Sequence, residues 1–84
     1  MATKTPTGTD PEMVRIGATL RAMREDKGFK LGEFANELEI SYTYLSNIEA
    51  GRKRLTPQLL NRAVKVLGVR KVAIVRDGYY DEVA

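Results

Sequence analysis

Apolar residues recur at helical spacing in four separate runs. Met13, Ile16, Leu20 and Met23 step by three and four, which puts them on one face of a first helix. Asp10-Pro11-Glu12 supplies its start: a capping carboxylate, a proline where a missing N–H costs nothing, and an acid that suits the helix dipole. That helix should end near Lys27, with Gly28 just beyond. Leu31, Phe34, Ala35 and Leu38 repeat the spacing in a second helix of about two turns, ending before Ile40. Ser41 can cap a third helix, in which Leu45 and Ile48 point one way while Tyr42, Thr43, Ser46 and Asn47 point others; Gly51 stops it. Thr56-Pro57 is another cap and first turn. Leu59, Leu60, Ala63, Val64 and Leu67 form the inner side of the fourth helix, closed by Gly68.

The two ends read differently. Residues 1–9, MATKTPTGT, are small, polar and broken by Pro6 and Gly8, the composition of a flexible arm. Residues 70–84 admit two readings. Val72, Ile74 and Val75 favour a strand, with Asp77-Gly78 as a hairpin turn before Tyr79 and Tyr80. A short fifth helix over residues 70–76 fits the preceding rhythm equally. In either form the tail offers apolar groups to cover the core or to pair two copies of the chain. The expectation is an all-α domain of four to five helices over residues 10–69, between an arm at 1–9 and a tail at 70–84.

Composition narrows the chemistry. The 84 residues suffice for one domain with a small core. Cysteine and histidine are both absent, which removes disulfides, thiolate nucleophiles, the usual zinc-ligand sets and the commonest general base. The carboxylates are scattered over helix surfaces without a matching acid, base or metal set, so no enzyme, metal or cofactor is expected. No apolar run approaches the ~20 residues of a membrane span and no hydrophobic leader opens the chain, so the expected compartment is the cytoplasm. Charge is uneven. Residues 50–71 carry seven bases and no acid, whereas the segments on either side are net acidic and the whole chain is +3. Such a segment suits a surface that meets a polyanion, and equally the solvated face of a basic protein.

The residues that decide between these are LGEFANELEISYTYLSNIEAG, followed by the Thr56-Pro57-started helix that ends in VLGV. Two short helices joined by a tight turn, with Ala35 as the small residue at their closest approach, resemble a helix-turn-helix. Residues 13–69 are similar to the lambda-repressor-like family, also called the Cro/C1-type or XRE-type DNA-binding domain. The resemblance implies that the third helix enters the major groove with its N-terminal residues against base edges. Ser41, Tyr42, Thr43, Ser46 and Asn47 then meet bases; Asn47 suits a bidentate pair with adenine, and Tyr42 reaches a base edge or a phosphate. Arg52, Lys53 and Arg54, in the following loop, meet phosphates, and six such contacts in a dimer give a salt slope of roughly −5. Lys4 on the arm is a further candidate for DNA. Arg24 and Glu49 occupy the places of a structural ion pair, and Tyr44 packs over helix two.

Two positions depart from the family's pattern. Glu39 stands where the turn commonly has glycine, in a left-handed or bridge conformation. Leu31 stands where a glutamine often braces the DNA backbone, leaving Lys30 as the substitute phosphate donor. The resemblance implies a sequence-specific transcriptional regulator, a small repressor that binds a pseudo-palindromic operator on double-stranded DNA as a homodimer. The alternative is an antitoxin that also captures a toxin through residues 72–83, whose end, DGYYDEV, is acidic and aromatic.

Overall fold

The computed structural model describes residues 10–82; the expected arm at 1–9, with Lys4, and the last two residues lie outside them. Helix α1 spans Pro11–Asp26, α2 Leu31–Leu38, α3 Tyr42–Glu49 and α4 Pro57–Leu67. A 3₁₀ turn at Lys71–Ala73 and a short helix α5 at Tyr79–Glu82 complete the chain, and no strand occurs among the described residues. Each main helix begins at an identifiable cap. Asp10 Oδ1 accepts from Glu12 N–H at 2.9 Å, Ser41 Oγ from Tyr44 N–H at 3.0 Å and Thr56 Oγ1 from Leu59 N–H at 3.3 Å. At α2 the starting residue is Lys30, which has no acceptor to offer. Glu33 works in the reverse direction, its Oε1 accepting from Lys30 N–H at 2.8 Å.

The apolar faces meet in one core. Leu20, Phe34, Leu38, Leu45, Ile48 and Leu67 are fully buried at its centre, with Ile16, Ala35, Leu59, Leu60 and Ala63 around them. Arg62 on α4 donates from Nη1 to Leu38 O at 2.8 Å, satisfying a carbonyl at the end of α2.

The tail corrects the hairpin reading. Ile74 and Val75 are both buried, whereas a strand would send consecutive side chains to opposite faces. A helical bend buries them together: Ile74 and Val75 both donate to Lys71 O, at 2.9 Å each. Gly78, at φ +79°, turns the chain into α5 rather than into a second strand. The fifth-helix reading is also displaced, since residues 70–76 hold only the 3₁₀ turn and the helix follows it. Tyr79 is buried, and Tyr80 donates its hydroxyl to Leu55 O.

That burial gives a pH prediction. Loss of solvent around the Tyr80 phenol, reinforced by Tyr79 and opposed by Arg54, pushes its pKa up to about 12. The unfolded phenol ionises near 10, so the unfolded chain loses its proton first. The contribution of this group to stability is full and constant below pH ~10 and is lost as pH rises from ~10 to ~12. Thermal melts of wild type and Tyr80→Phe should therefore converge over that window, because phenylalanine has no proton to lose.

Helix α2 ends in a tight reverse turn in which Glu39 N–H donates to Asn36 O and Ile40 N–H to Ala35 O, both at 3.0 Å. This pattern needs a left-handed residue at its apex. α1 and α3 are followed by the same turn with glycine there, Gly28 and Gly51; after α2 it is Glu39, at φ +61° and ψ +39°, the one non-glycine residue with positive φ among those described. The left-handed cost of ~1–2 kcal/mol exceeds the flexibility that glycine adds to the unfolded chain. Glu39→Gly should therefore stabilise the domain by about 0.5–1 kcal/mol, read as a melting temperature several degrees higher. The side chain's contact with Arg62, 3.9 Å at an exposed site, is too weak to reverse the sign.

Candidate nucleic-acid interface

The second and third helices present a helix start to solvent. Tyr42 and Thr43, in the first turn of α3, are exposed, Tyr42 by 62%, and Ser41 is exposed beside them. A large aromatic side chain this open at a helix start covers none of the core. The inner side of the same helix is held by Leu45 and Ile48, which are fully buried. Ser41 uses its hydroxyl for capping, so what it has left is its remaining hydrogen-bonding capacity. Ser46 and Asn47 are half-buried one turn further on, and Tyr44 is partly buried against the core.

What fixes the far end of α3 is an ion pair. Arg24 donates from Nε to Glu49 Oε2 at 2.8 Å and from Nη2 to Glu49 Oε1 at 3.0 Å, a two-pronged match of guanidinium and carboxylate. Both side chains are more than nine-tenths buried. Nη1 of Arg24 also donates to Phe29 O at 2.8 Å, tying the α1–α2 connection to the same group. The hydrogen bonds Arg24 donates to Glu49 hold its pKa above its ordinary value.

The loop cations take different surroundings. Lys53 is exposed, as is Lys30 at the start of α2. Arg52 is exposed too, but its Nε donates to Asn47 Oδ1 at 2.9 Å. The expected adenine pairing of Asn47 requires that oxygen, so it meets a competitor already in place. Arg54 is half-buried, its guanidinium 5.2 Å from the centre of the Tyr79 ring and 5.3 Å from that of Tyr80. Arg54, expected to meet a phosphate from the loop, packs its cation against two aromatic rings. The link between loop and tail could not be read from the residue order. Arg54 and Tyr79 lie 25 positions apart with no shared periodicity.

Two glycines at this site carry weight: Gly17, which no pattern singled out, and Gly51, expected only to stop α3. Gly17, in the middle of α1, is buried where α1 crosses the end of α3. A Cβ there would lie 2.6 Å from Glu49 O and closer still to Ile48 O. Gly51, at φ +82°, abuts Val14 in the same way, a Cβ coming within 2.8 Å of its Cα. For Gly17 a signal existed: an isolated glycine inside a helical stripe costs about 1 kcal/mol relative to alanine and asks for a packing reason.

Comparison with known proteins gives one consistent result. The helix-turn-helix domain family matches residues 15–74. The 10 kDa protein of the immF control region of Bacillus phage phi105 is 34% identical over 77 residues, covering 83% of this chain and 86% of that protein. The clp gene regulator ClgR from C. glutamicum superposes with a TM-score of 0.72 at 35% identity, over 79% of this chain and 86% of that one. The restriction-modification controller protein C.AhdI from Aeromonas hydrophila superposes at 0.73 over 77% of this chain and 98% of its own, with 18% identity, a likeness of fold alone.

Proposed function

Because the chain belongs to the lambda-repressor-like, Cro/C1-type and XRE-type, helix-turn-helix family of DNA-binding transcription regulators, we propose that it represses transcription by occupying a pseudo-palindromic operator as a homodimer. The observation that carries this is the open N-terminal face of α3, where Tyr42 and Thr43 are exposed while Leu45 and Ile48 hold the opposite face to the core. Ser41, Tyr42, Thr43, Ser46 and Asn47 face the major groove. Phosphate contacts go to Lys30 and Lys53, both exposed and outside any ion pair among the described residues. Arg52, beside Asn47, faces the same groove. Repression requires only that the bound dimer exclude polymerase, and no catalytic step enters.

The aromatic tail supports this reading over toxin capture. Its two rings are engaged within the chain, Tyr79 in the core and Tyr80 on Leu55, with Arg54 packed on both. Rings so occupied are poorly placed to seize another protein; Val72, 54% exposed, is left for the pairing of two copies.

Selection of bound duplexes from a random pool tests the proposal. The expected result is a site of two related half-sites with centres one DNA turn, ~34–36 Å, apart. No enrichment at low salt defeats it. Two phosphates per subunit, four per dimer, give a salt slope of about −4. Lys53→Ala should make that slope shallower by about 2. Arg54→Ala should leave it unchanged and lower the melting temperature instead.

A further inference from the structure

Asn47 and Arg52 form a side-chain pair at the outer end of α3, Arg52 Nε donating to Asn47 Oδ1 at 2.9 Å. A guanidinium has donors only, so this contact fixes the amide: the oxygen turns to the arginine and the Nδ2 group points away. The backbone carries the pair. Asn47 O accepts from Arg52 N–H at 2.9 Å and from Lys53 N–H at 3.1 Å, so Arg52 rides on the turn that closes α3. Neither side chain has another hydrogen bond among the described residues. What the pair offers outward is therefore mostly N–H groups, two from Asn47 Nδ2 and the rest from the Nη atoms of Arg52, against one remaining lone pair on Asn47 Oδ1 that sits beside the guanidinium charge.

Bases differ in what they can do with such a surface. Adenine shows an acceptor at N7 and a donor at N6, and its donor must share the oxygen that Arg52 already holds, next to a second positively polarised group. Guanine shows two acceptors, N7 and O6, and is satisfied by donors alone. We propose that Asn47 and Arg52 read guanine as one unit, with Arg52 holding one side of the asparagine oxygen and surrounding it with donors, and so setting which base Asn47 prefers. The proposal rests on the docking of α3 in the major groove and reverses the preference Asn47 has by residue type.

The test is selection from a random duplex pool with three proteins: wild type, Asn47→Ala and Arg52→Met, which keeps the stem and removes every side-chain donor. Asn47→Ala identifies the base pair concerned, as the one whose preference disappears. At that pair wild type should favour G·C over A·T roughly tenfold or more, and Arg52→Met should shift the preference to A·T. A purely structural role for Arg52 would weaken binding without moving the selected base. The inference is overturned if wild type selects A·T there, if Arg52→Met retains G·C, or if Asn47→Ala alters no position. Any of these alongside a clear wild-type site defeats the guanine assignment and leaves the operator reading intact; absence of any wild-type site defeats both.

Discussion

Replacing Glu49 with glutamine should lower the stability of the domain by about 3–5 kcal/mol, the usual consequence of removing one partner from a buried ion pair. Glutamine is nearly the same size, so packing hardly changes. The charge does. Arg24 keeps its proton at every relevant pH, and its next carboxylate, Glu25, lies 3.8 Å away with its side chain half-exposed. The glutamine oxygen can accept from one of the two N–H groups that now reach Glu49, at 2.8 and 3.0 Å; the amide nitrogen then opposes the other donor. For a domain of this size each kcal/mol moves the melting temperature by roughly 4–8 °C, so a fall of about 12 °C or more is expected in a thermal melt. An unchanged melting temperature would remove the pair from the list of what holds α3 in place. The double variant Arg24→Met with Glu49→Leu should recover much of the loss, since an apolar pair of similar volume leaves no buried charge to compensate. That recovery separates a stranded charge from simple damage to the core.

The same pair marks how far the sequence was legible. Helix starts were readable because capping is local: Asp10, Ser41 and Thr56 each stand two or three residues before the N–H they satisfy. Core positions were readable because a helix repeats every 3.6 residues, and the four apolar runs are the four buried faces. The tail resisted for the opposite reason. Val72, Ile74 and Val75 have the composition of a strand, yet a lone hairpin is at best marginally stable. Burying Ile74 and Val75 together in the core needs a bend instead. Tertiary contact overrode local preference there. At the candidate interface residue types pointed to the exposed start of α3 but not to the partners of its side chains. Asn47 to Arg52 and Arg54 to the tyrosines depend on how a loop folds back, and no periodicity encodes that.

Gly17→Ala sets two of these levels against each other. Judged on the helix alone, alanine in the middle of α1 should stabilise by about 1 kcal/mol, because glycine leaves more backbone freedom to lose. Judged on packing, the added methyl lies within 2.6 Å of Glu49 O, and closer still to Ile48 O. Both neighbours are backbone atoms at the end of α3, so no rotamer change relieves them. The helices must move apart. Overpacking of this kind costs roughly 1–3 kcal/mol, and more where the obstructing atoms are fixed. The steric term should win, giving a net loss of up to about 2 kcal/mol in a denaturant titration, and more if the backbone cannot give. The displacement would fall on the segment that carries Glu49 and, beyond it, Gly51 and Arg52. DNA binding by Gly17→Ala should therefore weaken more than the fraction of unfolded protein explains, as measured at a temperature well below its melting point. Stabilisation by alanine would mean that α1 and α3 are not in backbone contact at this crossing, and the reach of Arg24 to Glu49, two turns along the same face, would need another cause.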